Sequence, residues 1–355
     1  MSVDALKCVV WDLDNTLWTG VLTEGDPVAV SGETAAIVRS LDERGILQSI
    51  ASRNSAPEAL DVLERNGLRE YFLCPQIHWG AKSSSIRTIA DTLNLAPDSF
   101  LFVDDDPFER DEVKAQLPSI VTAGPEQLPA LMSSPLLSPV VTHDGRLRRL
   151  RYLAEARRVD AERAFEGPSE AFLASLGLEL TIRPAVISDL LRMEELTGRT
   201  HQLNTTGRIY SQDELRRFSR GADHALLAVL LTDRYGDYGH IGLVLIALED
   251  GRWTIELFLL SCRVMNRGIG PALLAHLQRA ASQHGSALRV RFVPTDRNRP
   301  MLVTLRLAGF RECGRDADTL LLESGRGSMP SPPAHVAVGS AWPSPAVVGA
   351  YDAIT

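Results

Sequence analysis

Three short apolar runs in the first 110 residues each break off into polar groups of one kind, a pattern that demands an open parallel sheet with a charged edge. Lys7-Cys8-Val9-Val10-Trp11 reads as a buried strand and runs into Asp12-Leu13-Asp14-Asn15-Thr16. Its two carboxylates are two residues apart, so they leave an extended backbone on the same side. A second run, residues 46–51, ends in Ser52-Arg53-Asn54, and a third, residues 100–103, ends in Asp104-Asp105-Asp106. Lys82 stands just before a helical stretch. Ligands of open parallel sheets bind at the C-terminal ends of the strands. An aspartate pair, a hydroxyl, a lysine and a third aspartate suit a hard cation together with a phosphate.

A lone Asp-x-Asp after an apolar strand is common; the ordered series of strand, DLDNT, strand with Ser52, Lys82, and strand with two further aspartates is not. It resembles the haloacid dehalogenase superfamily of aspartyl-phosphate phosphatases. The resemblance implies that Asp12 is the nucleophile and Asp14 the general acid/base, that Ser52 hydrogen-bonds the transferring phosphoryl group and that Lys82 neutralises it. It also implies that Asp104 orients Lys82, that Asp12, Asp105 and the Asp14 backbone hold Mg²⁺, and that Asn54 contacts the substrate. The physics agrees, because a carboxylate attacks phosphorus only when its own charge and that of the phosphate are both offset.

A chain of 355 residues is long enough for two domains with separate cores. Hydrophobic residues at 45% and charged residues at 23% suit a soluble globular protein, and a net charge of −8 without a basic stripe argues against a nucleic-acid partner. No stretch approaches the roughly 20 apolar residues of a membrane span, and the N-terminus lacks a signal-peptide pattern. Cys8, Cys74, Cys262 and Cys313 have no metal-type spacing. Reduced thiols and a cytoplasmic location are expected.

Residues 1–123 alternate strands with helices expected over 33–44, 57–66, 83–93 and 107–116, the pattern of a parallel βαβ sheet. Between Asp14 and Ser52 there is room for a flap (18–32) and one helix, and between Ser52 and Lys82 for a helix and a strand. The phosphatase site is therefore expected to be capless. Residues 124–177 read as a Pro- and Ser-rich connector followed by a linking helix over 143–165, whose arginines look like a solvated face. Residues 178–324 form a second α+β pattern, with strands over 178–184, 225–232, 240–248, 254–261, 287–293 and 319–323 and helices over 188–198, 211–219, 271–283 and 299–308. Residues 325–355, rich in Gly, Ser, Pro and Ala, are expected to be a disordered tail.

In the second half, Arg267-Gly268-Ile269-Gly270 opens a long helix, and a strand, a helix and Gly309-Phe310 follow. This order resembles the Gcn5-related N-acetyltransferase (GNAT) fold. The resemblance implies that amides around Gly268 and Gly270 bind phosphate at the helix N-terminus, flanked by Arg263 and Arg267. Met265 stands where the family's pattern has a basic residue, which suits a phosphopantetheine arm with one phosphodiester better than the pyrophosphate of coenzyme A. Cys262 lies at the end of the strand feeding this turn. An apolar-flanked cysteine is usually a small core residue, but Arg263 and the helix N-terminus would both favour its thiolate. Cys262 is therefore expected to carry an acyl thioester, whereas Cys8 and Cys313 read as core. His201, Asn204 and Thr205, in a polar run over 200–206, are expected substrate contacts, and His240 is a second histidine able to deprotonate a thiol.

With DLDNTLW, SRN, IHWGAKS, FVDDDPFER, HQLNTT, RYGDYG, LLSCRV and PTDRN in this order, residues 5–323 resemble the FkbH-like glyceryl transferase/phosphatases of polyketide pathways. The resemblance implies 1,3-bisphosphoglycerate as donor, removal of its 3-phosphate, and loading of a D-glyceryl group as a thioester on the phosphopantetheine arm of an acyl carrier protein. The alternative is a stand-alone Mg²⁺-dependent phosphatase whose second half is a binding or regulatory module.

Overall fold

A strand with no polar residue must be buried on both faces, and β1 (Cys8–Trp11) is buried along its whole length. The computed structural model describes residues 6–139, 143–325 and 331–342. After β1 come α1 (Gly32–Glu43), β2 (Leu47–Ser52), α2 (Ala56–Arg65), β3 (Gln76–Ile77), α3 (Lys82–Leu93), β4 (Phe100–Val103), α4 (Pro107–Gln116) and β5 (Val121–Ala123). The strands form one parallel sheet in the order β3-β2-β1-β4-β5. The chain builds outward from β1 on one side and then on the other, so the crevice between the ends of β1 and β4 is the switch point of the sheet. Alternation along the strands feeds two cores. Val9, Trp11, Leu101 and Val103 pack with α1 and α2, while Val10, Phe100 and Phe102 pack with Ile86, Ile89 and Val113.

The Pro- and Ser-rich segment that follows is more than a spacer. It holds α5 (Leu128–Met132), then α6 (His143–Arg146), α7 (Arg148–Ala164) and α8 (Ser169–Leu176). Leu128 and Leu137 are buried in the first core, and Arg44 donates to the carbonyls of Met132 and Leu137 at 2.7 and 2.8 Å. The chain divides into two compact units, Met1–Arg157 and Arg158–Thr355, with the boundary inside α7. The arginines of α7 are not all solvated, as expected from the sequence. Arg149 pairs with Asp42 at 2.9 Å, and Arg158 is buried against Asp233 at 2.7 Å.

The second unit continues through β6 (Leu178–Pro184), α9 (Leu190–Arg199), α10 (Gln212–Arg220), β7 (His224–Asp233), β8 (Gly236–Glu249), β9 (Arg252–Leu260), α11 (Ile269–Gln283), β10 (Ala287–Phe292), α12 (Arg299–Leu307), β11 (Phe310–Asp316), β12 (Thr319–Ser324) and β13 (Val336–Ser340). These strands make an eight-stranded mixed sheet, β11-β12-β10-β9-β8-β7-β6-β13. Neighbours are antiparallel except β9 with β10, joined by the α11 crossover, and β6 with β13. β9 and β10 pair only as far as Ile255 and Val290, although β9 runs on to Leu260, so the two parallel strands diverge.

β13 corrects the expectation of a disordered tail for residues 331–342; residues 326–330 and 343–355 lie outside the described residues. The edge of β6 supplies a ladder of five register pairs, and Trp342 enters the core of the unit. Among the described residues, no helix is long and apolar enough to cross a membrane.

Candidate active sites

Register builds the first site. Trp11 pairs with Ile50 on β2 and with Val103 on β4, so the residues just beyond these positions, Asp12, Ser52 and Asp104, emerge together at the switch point. The Asp12 N–H donates to Val103 O at 2.9 Å, extending the ladder one step. From the first turn of α3, Lys82 Nζ reaches Asp12 Oδ1 at 2.9 Å and Asp104 Oδ2 at 2.6 Å. All three groups are buried. Burial pushes the Asp12 carboxyl up to about 6, against the pull of Lys82 and the Ser52 hydroxyl. Burial likewise raises Asp104. It works against the Lys82 charge, but the two carboxylates outweigh it and raise the lysine pKa.

Asp14 is held from three directions. Its Oδ1 accepts from Trp18 Nε1 at 2.8 Å and the Leu22 N–H at 3.1 Å, and its Oδ2 accepts from Asn54 Nδ2 at 2.9 Å. The turn between Asp14 and Trp18 needs Asn15 in the left-handed region, at φ 53°, a conformation that asparagine tolerates. Asn54 is buried and spends its side chain on Asp14 and the Ser55 N–H. Asn54 thereby positions the Asp14 carboxylate.

Asp105 is exposed at the mouth of the site, where Thr16 Oγ1 donates to its carboxylate at 3.3 Å and accepts its N–H at 2.9 Å. One oxygen each of Asp12, Asp104 and Asp105 lies within 4.8 Å of the others. Such a set of hard carboxylate oxygens, two buried and one open to solvent, fits Mg²⁺. The Asp14 carboxylate is outside this set and Asp104 is inside it. Thr16, two residues after Asp14 in the same motif, and Arg110, which donates to the Asp104 and Asp105 carbonyls at 2.5 and 2.9 Å, were not singled out from the sequence.

In the second unit Cys262 is exposed, at the start of a 3₁₀ turn (Cys262–Val264) directly after β9. The turn is tied down on both sides. Ser261 N–H donates to Ile241 O at 2.6 Å, Arg263 Nη2 to Tyr238 O at 3.3 Å and Arg267 Nη1 to the Tyr238 hydroxyl at 2.9 Å. The Tyr238 hydroxyl in turn donates a hydrogen bond to Asp233 Oδ2 at 2.9 Å, and the Arg158 guanidinium covers its ring at 3.7 Å. Gly268 caps α11 at φ 77°, and Gly270 follows inside its first turn. Arg263 is exposed beside Cys262.

His201 is exposed, but Asn204 and Thr205 are fully buried. The Asn204 side chain accepts from the N–H groups of Thr206 and Gly207, and Thr205 Oγ1 accepts from Phe258 N at 2.9 Å. Thr205 also joins Phe258 O and Val293 N, filling the gap where β9 and β10 diverge. Their expected role as substrate contacts is therefore corrected: they are structural pegs. His240 is buried, with Nε2 2.8 Å from Asp189 Oδ1. Burial opposes the Asp189 charge, yet His240 and Arg183 hold its carboxyl well below the usual range. Cys8 is buried as expected, whereas Cys313 is exposed on β11, whose outer position in the sheet leaves it open to solvent.

No protein-family model and no curated protein matches this chain. Among solved structures, the chain is similar over 42% of its length to the N-terminal part of a Bacteroides fragilis protein that contains a phosphatase domain and is complexed with Mg, at 29% identity and a TM-score of 0.32. It spans only 39% of that structure. It is also similar to the ribosomal-protein-S18-alanine N-acetyltransferase of Escherichia coli, at 15% identity and a TM-score of 0.33, over 42% of this chain and 98% of that one. The GNAT domain of S. lividans PAT shares 20% identity at a TM-score of 0.31, over 40% of this chain and 88% of that one. Likenesses of this size leave the reading to the chain's own residues. Its sheet orders give a parallel α/β unit with carboxylates and a lysine gathered at its strand ends, followed by a unit built on a mixed eight-stranded sheet.

Proposed function

We propose that this chain dephosphorylates 1,3-bisphosphoglycerate and loads the resulting D-glyceryl group as a thioester onto the phosphopantetheine arm of an acyl carrier protein. The observation that carries the reading is Lys82 held between Asp12 and Asp104 at 2.9 and 2.6 Å, with Asp105 at the same edge. Mg²⁺ held by Asp12, Asp104 and Asp105 would offset the charge of the phosphate. Asp12 attacks phosphorus and displaces the alcohol oxygen, Asp14 gives that oxygen its proton, and water then releases phosphate from the aspartyl phosphate and regenerates the Asp12 carboxylate. Trp18, Leu22 and Asn54 keep the Asp14 carboxyl facing the site. The exposed Cys262, beside Arg263 and ahead of the α11 N-terminus, is suited to hold the acyl group as a thioester.

A second reading, phosphatase activity with a binding module, is favoured by the burial of Asn204 and Thr205, which removes two expected substrate contacts. Incubating the purified chain with 1,3-bisphosphoglycerate, Mg²⁺ and a holo carrier protein separates the two. A glyceryl mass increase on the carrier, read by intact mass spectrometry, supports transfer; phosphate release without it supports the second reading.

A further inference from the structure

Ser52 and Asn54, at the end of β2, serve the two carboxylates of the first site: the Ser52 hydroxyl bonds Asp12 and the Asn54 amide bonds Asp14. Arg53, between them, turns elsewhere. Its Nη1 meets Glu109 Oε1, in the first turn of α4, at 2.5 Å, and its Nε donates at 3.4 Å to Gly80 O, just ahead of Lys82. The next residue of α4, Arg110, holds the Asp104 and Asp105 carbonyls. The Arg53 guanidinium is thus fixed among the same strand-end loops that carry Ser52, Lys82 and the Asp104–Asp105 pair.

The two partners are unequal. The Glu109 side chain is only 6% exposed, and its Oε2 is buried without a hydrogen-bond partner among the described residues. Arg53 is therefore held by a carboxylate that cannot move out to water. The Arg53 side chain itself is 40% exposed, and beyond Glu109 and Gly80 its guanidinium has no partner among the described residues. A guanidinium has five N–H donors in a rigid fork and stays charged at every working pH. Stability alone does not account for this placement, because a buried ion pair stabilises a fold no better than apolar residues of the same volume. A cation fixed in one position, with donors left over, suits the planar or tetrahedral oxygens of an anion. We infer that Arg53 is a specificity residue of the first site. It takes a second anionic group, carboxylate or phosphate, at the far end of the phosphoester whose phosphoryl group Asp12 attacks, and Glu109 is its positioning residue. The inference rests on the reading of the first unit as a phosphatase and narrows its substrates to phosphoesters with two anionic ends. The acyl phosphate of 1,3-bisphosphoglycerate is such an end.

The probes are 3-phosphoglycerate and sn-glycerol 3-phosphate, which share a carbon chain and a phosphate ester and differ in the carboxylate. Phosphate release from each is measured on the full chain at fixed Mg²⁺, and the ratio of the two kcat/KM values is the readout. The wild-type chain should favour 3-phosphoglycerate by roughly tenfold or more. Arg53→Met should bring the ratio close to unity, with the loss appearing in KM for 3-phosphoglycerate, and Arg53→Lys, which keeps the charge but not the fork, should fall between. Removing the cation alone strands the buried Glu109 carboxylate. The paired variant Arg53→Met with Glu109→Gln removes both charges and should show the same loss of preference if the single variant fails to fold. A wild-type ratio near unity overturns the inference. So does a variant that slows both esters equally, since a purely structural pair would act in that way. Turnover without discrimination removes the role of Arg53 and leaves the phosphatase reading standing. Release from neither ester nor from 4-nitrophenyl phosphate would sink that reading, and Arg53 with it.

Discussion

Lys82 stands closer to Asp104, at 2.6 Å, than to Asp12, at 2.9 Å, and the nearer partner is the one wholly sealed from solvent. Asp104 therefore anchors the ammonium, and Asp12 meets it from the open side, where a phosphate would arrive. Asp12→Asn removes the proposed nucleophile without changing volume and should abolish phosphate release with the fold intact. Asp104→Asn leaves Lys82 to Asp12 alone and should slow release by about 100-fold, the scale of losing one preorganised electrostatic group. Both are measured on a small phosphate ester at fixed Mg²⁺, with chelation by EDTA expected to stop the wild-type reaction and added Mg²⁺ to restore it. Near-normal turnover by the Asp12 variant would sink the assignment of the first site.

Cys262→Ala should block loading of the carrier protein while phosphate release from a small ester persists, because the proposed function places Asp12 and Cys262 in different units. Exposure of the thiol right after β9 makes a packing loss small, so the melting temperature should hardly move. A variant that still loads the carrier at the normal rate would mean that the pantetheine thiol takes the acyl group directly.

The first site was legible because its chemistry sits at strand ends that local sequence already marks: Asp12, Ser52, Lys82 and Asp104 each follow or precede a recognisable element. Asn204 and Thr205 misled for the opposite reason. A polar run looks like a solvent loop, and only the divergence of β9 and β10, a property of the sheet, turns those side chains into buried partners of backbone groups. Arg158 was hidden likewise, since its partner Asp233 is 75 residues away in sequence. β13 escaped notice because its own composition could not hold a strand, and the edge that holds it belongs to β6.

Asp189 links His240 at 2.8 Å with Arg183 at 2.6 Å, inside a unit where an unpaired charge is costly. Asp189→Asn should destabilise the unit by about 2 kcal/mol at neutral pH, the range for losing hydrogen bonds to a charged group. The folded carboxyl lies below its unfolded value of 3.8, so its contribution is complete above that pH and lost as pH falls toward the folded value. The part of the stability gap between wild type and variant that comes from the Asp189 charge should therefore shrink as pH falls below about 4. Urea titrations at several pH values test this. A gap that widens below about pH 4 would show that Asp189 is not held as a carboxylate by Arg183 and His240.

Trp342 is the second anchor of the C-terminal segment, packed against Trp253 with 6% of its surface exposed. Composition alone argued that residues beyond 325 add nothing to stability, because their apolar groups follow no period and prolines interrupt them. The geometry reverses that expectation. Val336 is buried beside β6, the ladder satisfies backbone groups on an otherwise open edge, and the indole packs into the core of the unit against Trp253. Trp342→Ala should cost about 3 kcal/mol, as buried tryptophans do, lowering the melting temperature of the second unit by roughly 6 to 12 °C. Trp342→Phe keeps most of the apolar area and should recover more than half of the loss. Calorimetry of the full chain distinguishes the outcomes, since the transition of the first unit should stay where it is. A variant that melts with the wild type would mean that the segment is not docked in solution.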